Sequence, residues 1–236
     1  MTRYVLPLLA ASILATPAAA EVQVTAGGPI VELTVNENVE AEPDLVTVSA
    51  GVTTQARTAV EAMAANATQM TAVIDRIKQL GIAERDIQTT GINLGAMYDY
   101  NQQTQRQVFR GYQAGNRVSV KLRDIQRTGD VLDALVAAGA TDLSGPDWSI
   151  DDDTAARAQA RRQAMETARD QALEYARSAG FSGIRLLEIS EQIAPQRPMP
   201  MMRGMVQAEA DAASTPVQPG MVEAGVTVRV TYEMTR

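Results

Sequence analysis

Apolar and polar residues alternate with a period of two in several segments of the chain, and this period predicts strands that bury one face. The apolar positions of the first two segments are Val31, Leu33 and Val35, then Val46, Val48, Ala50 and Val52. Pro43 lies between them and keeps the preceding Glu42 out of the helical region. The two segments are therefore predicted to pair as an antiparallel hairpin.

Five later segments show the same alternation. They lie near residues 87–97, 109–122, 143–150, 184–193 and 222–234. The polar run NQQTQRQ at residues 101–107 separates the first two of them and predicts an exposed hairpin loop. The last segment keeps seven apolar residues in register, which predicts a strand with one fully buried face.

Three segments instead repeat apolar residues every three or four positions, which predicts amphipathic helices. The first begins at Thr58 and Glu61, which have the spacing of a capping box, and ends before Gly81. Because strands flank this helix, its apolar stripe is expected to face a sheet. The predicted stripe consists of Val60, Met63, Ala67, Met70, Ile74 and Ile77.

The second predicted helix covers residues 125–138 and the third covers residues 154–179, and a glycine follows each of them. The third helix carries small residues at every fourth position, a spacing that favours close packing on a twisted sheet. These residues are Ala156, Ala160, Ala164, Ala168, Ala172 and Ala176.

Strands with one polar face and interspersed helices predict an α+β fold with two layers, in which three helices pack on an antiparallel or mixed sheet. The pattern leaves open whether the chain forms one unit or two subdomains. Residues 194–220 contain five prolines among Met, Ala and acidic residues. They are predicted to form a mobile linker or loop before the last strand.

Composition excludes several kinds of site. The 236 residues include 21 Lys plus Arg and 28 Asp plus Glu, but no His and no Cys. Nucleophiles, zinc sites and disulfides that need these two residues are therefore excluded. The net charge of −7 argues against nucleic acid as a partner, because that binding rests on cationic side chains. No glycine motif for phosphate binding is present, so no cofactor is predicted.

Residues 1–20 combine an early basic residue, an apolar run and small residues before Glu21. This arrangement is typical of a signal peptide that is removed on export. We expect cleavage after Ala20, which leaves residues 21–236 as one periplasmic domain. No later segment has about 18 consecutive apolar residues, so no transmembrane segment is predicted in the mature chain.

Residues 81–100, GIAERDIQTTGINLGAMYDY, and residues 109–152, beginning FRGYQAGNRVSVKL, resemble the SIMPL-domain family of periplasmic proteins. The resemblance covers nearly the whole mature chain. It departs where family members often have Pro before the first Tyr, since Ala96 and Met97 stand there in this sequence. Its further supporting features are the Pro43 turn, Tyr98 and Tyr100, Gly111 and Tyr112, and the alanine-rich helix that reaches Gly180.

The resemblance implies a two-layer α+β envelope protein that often self-associates and has no established catalytic activity. It therefore supplies no catalytic residues. From the residues themselves, Tyr98, Tyr100, Phe109 and Tyr112 are the candidate surface for a partner or a second copy, because aromatic side chains are enriched in interfaces. Cross-strand packing within one hairpin accounts for them equally well.

Two clusters are candidate metal sites. Met199, Met201, Met202 and Met205 offer soft thioethers that suit Cu(I) or oxidise reversibly, although an apolar linker docked on a neighbour is the favoured interpretation. Asp151, Asp152 and Asp153 could attract a cation. Because calcium-loop spacing is missing, we interpret these acids as a helix start that complements the dipole.

The sequence thus predicts a non-enzymatic periplasmic protein that acts by self-assembly and protein binding in envelope or oxidative-stress maintenance. The expected partners are further copies of the chain and an envelope protein. One alternative is a soft-metal or oxidant buffer that uses the Met-rich segment. Another is a carboxylate-based envelope hydrolase, which is less favoured because no motif selects a pair of acids.

Overall fold

The computed structural model describes residues 26–199 and 215–236. These residues form eight strands and three α-helices. The strands are β1 (Ile30–Ala41), β2 (Leu45–Ala56), β3 (Ile87–Asn101), β4 (Arg106–Leu122), β5 (Asp142–Ser149), β6 (Gly183–Ile193), β7 (Arg197–Met199) and β8 (Met221–Thr235). The helices are α1 (Ala59–Gln79), α2 (Thr128–Ala137) and α3 (Thr154–Ser178).

The strands divide between two antiparallel sheets. One sheet has the order β3, β4, β2, β5, and the other has the order β1, β8, β6, with β7 also pairing with β8. Helices α1 and α2 pack on the first sheet, whereas α3 packs on the second. The α+β prediction is confirmed, and of the sheet types left open the antiparallel one is present.

The predicted hairpin between the first two strands is wrong. β1 pairs with β8 along its whole length, while β2 pairs with β4 and β5 in the other sheet. The chain therefore crosses from one sheet to the other at Pro43. Alternation along a strand determines which face is buried but not which strand becomes its neighbour. Here the long apolar face of β8 provides β1 with a partner that is distant in sequence.

The capping box of α1 is confirmed. The Glu61 N–H donates to Thr58 Oγ1 at 3.2 Å, and the Thr58 N–H donates to Glu61 Oε2 at 3.3 Å. Gly81 follows the helix with a φ of +85°, the left-handed conformation that glycine adopts without strain. Both ends of α1 thus follow from local sequence signals.

The predicted stripe of α1 is partly wrong. Val60 is 80% exposed and Ala67 is also exposed, whereas Ala62, Asn66 and Val73 are buried. Asn66 belongs to the buried face because its Nδ2 donates to two carbonyl oxygens of the sheet, at 2.8 and 3.2 Å. Because Asn66 is polar but lies in the middle of the buried face, the apolar pattern alone does not identify which residues of α1 face the sheet.

The core of the first sheet lies between its inner face and the two helices. Trp148 of β5 is half-buried and packs against the margin of this core. The fully buried side chains of this core come from β2, β4, α1 and α2 and include Val46, Val48, Val52, Val118, Val120, Val73, Ile77 and Leu135.

The alanine stripe of α3 is confirmed for five of its six residues, whereas Ala156 at its start is only half-buried. Ala160, Ala164, Ala168, Ala172 and Ala176 are fully buried. The first four pack in one core with the valines on the inner face of β8. Because alanine ends at Cβ, the helix axis can approach the sheet closely.

The predicted linker begins with defined structure. Residues 197–199 form β7, and Gln196 just before it is held by the segment between β5 and α3. Its Oε1 accepts the Ile150 N–H at 2.9 Å, and its Nε2 donates to Ile150 O at 3.1 Å and to Asp153 Oδ2 at 2.6 Å. The predicted signal peptide, residues 1–20, lies outside the described residues.

Candidate interaction surface

The hairpin formed by β3 and β4 extends beyond the rest of its sheet. β2 ends at Ala56, which is paired with Tyr112 of β4, so the part of β4 before Tyr112 has only β3 as a neighbour. Every residue from 98 to 110 is exposed. The end of the hairpin is therefore a two-stranded ribbon with both faces in solvent.

Three of the four aromatic residues predicted to form a surface contact one another on this ribbon. The Tyr98 and Phe109 rings are edge to face with centroids 5.7 Å apart, and the Phe109 and Tyr112 rings are edge to face at 5.3 Å. This geometry is favourable for aromatic pairs and stabilises the ribbon across its strands. The rings nevertheless remain accessible, so packing within the hairpin does not exhaust their surface.

The aromatic cluster lies on the face of the sheet that is buried elsewhere. Tyr112 is two residues before Ala114, which is fully buried under α1, and alternate residues of a strand share a face. Leu94 is paired with Ala114, and Tyr98 is four residues further along β3. The apolar face of the core thus continues, without a change of side, to the end of the hairpin.

This continuous surface includes two residues that the sequence analysis missed, Ile92 and Leu94 of β3. Their spacing of two residues along β3, which continues to Tyr98 and Tyr100, could have indicated that all four side chains share one face of the strand. We call the surface the hairpin face and define it as Ile92, Leu94, Tyr98, Tyr100, Phe109 and Tyr112. Five of its members are between 46% and 62% exposed, and Tyr112 is half-buried.

The hairpin face is uncovered because of where α1 begins and which way it runs. The helix begins three residues after the end of β2. Thr54 Oγ1 donates to Ala62 O at 2.8 Å, and Asn66 donates to Val52 O at 2.8 Å, so α1 returns along β2 away from the ribbon. The helix therefore covers β2 and β4 and leaves the ribbon and β3 beyond Ile87 open.

The opposite face of the ribbon is polar. Arg110 Nη1 donates to Asp99 Oδ2 at 2.7 Å, and both side chains are exposed. Val108, paired with Asp99, is an apolar residue on this side and is 48% exposed. At the tip, Asn101 Oδ1 accepts two backbone N–H groups of the turn. The ribbon is therefore amphipathic, with apolar and aromatic side chains concentrated on one face.

Gly111 allows the ribbon to begin where β2 ends. Its φ is +152°, and a Cβ atom at this position would lie 2.5 Å from Ala56 O. The register between β3 and β4 also shifts here, between Met97 and Tyr98. Only glycine fits this approach of two backbones, so the residue that the family resemblance included has a structural role.

The acidic triplet is engaged by protein groups. Asp152 accepts the backbone N–H of the first residue of α3 at 3.0 Å, Asp153 pairs with Arg157 at 2.5 Å, and Asp151 pairs with Arg123 at 3.1 Å. Arg157 is the main cause of a lowered pKa of Asp153, and the hydrogen bonds from α3 lower the pKa of Asp152. Within residues 26–199 and 215–236, no group of three or more acids is placed to hold a metal ion.

The methionine site cannot be placed as a unit. Met199 lies on β7, where its backbone is paired with Met221 of β8. Met201, Met202 and Met205 lie outside the described residues. The soft-metal hypothesis therefore stays a prediction from sequence.

Comparison with known proteins places this fold in a family. The family model described as SIMPL, a protein of unknown function (DUF541), matches residues 31–232. These residues contain both sheets and all three helices. The chain belongs to the SIMPL family.

Curated relatives match most of this SIMPL chain. It is 34% identical over 200 residues to the 26 kDa periplasmic immunogenic protein of Brucella melitensis, and the match covers 82% of this chain and 80% of the relative. The protein of the same name from Brucella abortus is also 34% identical over 200 residues. This chain is also 26% identical over 199 residues to the uncharacterized protein YggE of Escherichia coli K12, and that match covers 84% of this chain and 79% of the relative.

The three described helices of this SIMPL protein do not resemble membrane spans. In the part of the chain that the structure describes, none is both long enough and apolar enough to cross a bilayer.

Proposed function

We propose that this SIMPL-family protein is a periplasmic, non-enzymatic binding protein that self-associates and contacts envelope proteins through the hairpin face. The observation that carries the proposal is the hairpin face itself, since six apolar and aromatic side chains form one accessible surface. Contiguous apolar patches are uncommon on monomeric proteins and usually mark sites of interaction. A role in envelope or oxidative-stress maintenance follows as the wider hypothesis.

The chemistry of the surface supports binding. Tyr98 and Phe109 carry large areas at little cost in side-chain entropy, which is why such residues are enriched at the centres of interfaces. Their edge-to-face contact holds both rings before a partner arrives. A surface that is ordered in advance loses less entropy on association.

Location and the absence of catalysis are inferences from other features. The predicted export segment and the relatives named as periplasmic support a periplasmic location. A chain without His lacks the most common general base, and without Cys it lacks the thiolate nucleophile, which supports a binding role over an enzymatic one.

The test is the solution mass of residues 21–236, measured by light scattering over a range of concentrations. We expect a mass above that of one chain, which falls on dilution. The double variant Tyr98→Ser, Phe109→Ser should move the equilibrium towards the monomer by at least about tenfold in dissociation constant, because two large accessible side chains of the hairpin face are lost.

Val108→Ser is the matched control. Val108 has the same exposed fraction as Phe109, 48%, but lies on the polar face of the ribbon. Its loss should leave the mass unchanged. A wild-type chain that stays monomeric at every concentration, or equal behaviour of the control and the double variant, would contradict the proposal.

A further inference from the structure

β3 is an edge strand without the usual protection against pairing. Natural proteins place charged residues or proline on exposed edges to prevent strand addition. The other edges follow this rule, with Glu32 and Glu40 on β1, Pro146 and Asp147 on β5, and Arg185 and Glu188 on β6. Residues 87–98 of β3 contain neither a charged residue nor a proline.

The middle of β3 has the regular geometry that strand addition requires. Register shifts occur between Thr89 and Gly91 and between Met97 and Tyr98, and the pairing with β4 is continuous between these points. Residues 91–97 therefore form a regularly paired stretch whose central residue is Leu94. The irregular positions on either side limit how far an added strand could pair.

This stretch also carries apolar side chains that a further strand would cover. Ile92 and Leu94 lie on the inner face of the sheet but beyond the reach of α1, and both are exposed. A strand added beside β3 would place its own side chains next to them on the same face. Backbone hydrogen bonds and apolar burial would then be gained together.

We propose that β3 pairs antiparallel with β3 of a second copy of this chain, about a two-fold axis that passes between the two Leu94 residues. This proposal rests on the proposed self-association and names its geometry. In this register Leu94 faces its own copy and Ile92 faces Ala96, so each residue meets an uncharged partner. The two four-stranded sheets join into one of eight strands, with α1 of each copy on the same side.

A second copy suits this edge because it supplies an equally long, uncharged and proline-free strand with its outer edge unpaired. The regular residues 91–97 pair end to end with the same residues of the copy when Leu94 is the centre. Asp99, the charged residue of β3, lies outside the stretch, so the two copies bring no like charges together. Closed two-fold pairing of this kind also removes the exposed edge from both chains.

Cysteine crosslinking tests the register directly, because the chain has no other thiol. In the variant Leu94→Cys, two thiols face each other across the axis, within the range of Cα separations that a disulfide spans. In the matched variant Ile92→Cys, the two thiols lie about 13 Å or more apart along the strands, which is too far. Mild oxidation should give at least about fivefold more covalent dimer for Leu94→Cys.

A mixture of Ile92→Cys and Ala96→Cys provides a second readout, since these residues face each other in the proposed register. The mixture should form a covalent heterodimer, whereas each variant alone should not. Equal crosslinking of Leu94→Cys and Ile92→Cys would overturn the register. If light scattering shows association but Leu94→Cys stays uncrosslinked, this proposal fails while self-association stands. A monomeric wild-type chain would remove both.

Discussion

Two edge strands of this protein, β3 and β6, expose apolar residues for the same reason but differ in how their edges are protected. Ile92 and Leu94 of β3 and Leu186, Ile189 and Ile193 of β6 are all between 44% and 62% exposed. In each sheet the helix lies over two neighbouring strands, α1 over β2 and β4, and α3 over β1 and β8. An edge strand beside them is left partly uncovered.

The difference is charge. On β6, Arg185 pairs with Glu233 of β8, and Glu191 pairs with Arg161 of α3 at 2.5 Å. Glu188 adds a further charge to this strand. A strand added beside β6 would have to approach these charged side chains, whereas one added beside β3 meets none between residues 87 and 98. Exposed apolar area alone is thus a poor guide to where a sheet can associate.

The largest expected effect tests the close packing of α3 on the second sheet. In Ala168→Leu, three carbon atoms enter a fully buried site between α3 and the second sheet. Overpacking of this kind should lower the free energy of unfolding by about 1–3 kcal/mol, measured by urea denaturation. Ala155→Leu, at an exposed position of the same helix, should change it by less than about 0.5 kcal/mol. Equal stability of both variants would mean that close approach does not depend on the small residues.

The second prediction adds a positive charge to each of the two edge strands in turn. Leu94→Lys places like charges opposite each other in the proposed dimer and should raise the dissociation constant by more than about tenfold, measured by sedimentation. Ile189→Lys adds the same charge to β6 at a similarly exposed position and should leave association unchanged. If both variants weaken association equally, β3 has no special role.

Local signals in the sequence were sufficient for elements whose ends or faces depend on near neighbours. The capping box of Thr58 and Glu61 was predictable because both partners lie within one turn. The alanine stripe of α3 was predictable because a spacing of four residues places small side chains on one slowly winding face. Both features need no knowledge of distant parts of the chain.

Features that depend on distant partners were missed or misplaced. The pairing of β1 with β8 joins residues about two hundred positions apart, and nothing near β1 indicates that partner. The exposure of Ile92 and Leu94 depends on where α1 lies, which the alternation of β3 does not contain. The candidate surface was therefore predicted at its aromatic end, where residue type alone is informative, and missed along the edge strand.

The smallest expected effect is a loss of folding stability in acid, which arises from Glu233 beside Arg185 of β6. The Glu233 carboxylate is buried, with Arg185 beside it and the Gly27 N–H donating to Oε1 at 2.8 Å. The Arg185 contact is the main cause that holds the pKa of Glu233 below its usual value of 4.5. Because the unfolded chain binds this proton first as the pH falls, the stability from Glu233 is fully present above about pH 4.5 and is lost through the lowered pKa. Arg185 is largely exposed, so solvent limits the size of the effect.

Urea denaturation between pH 2.5 and 6 should therefore show stability decreasing below about pH 4.5 in the wild type, and a shallower decrease in Glu233→Gln, which has no proton to bind there.

Residues 87–98 of β3 contain no group that titrates between pH 5 and 8. Self-association through β3 should accordingly have the same dissociation constant at pH 5.5 and pH 8. An acid-dependent dissociation constant in that interval would assign the contact to charged residues elsewhere and would break the contrast between the two edges.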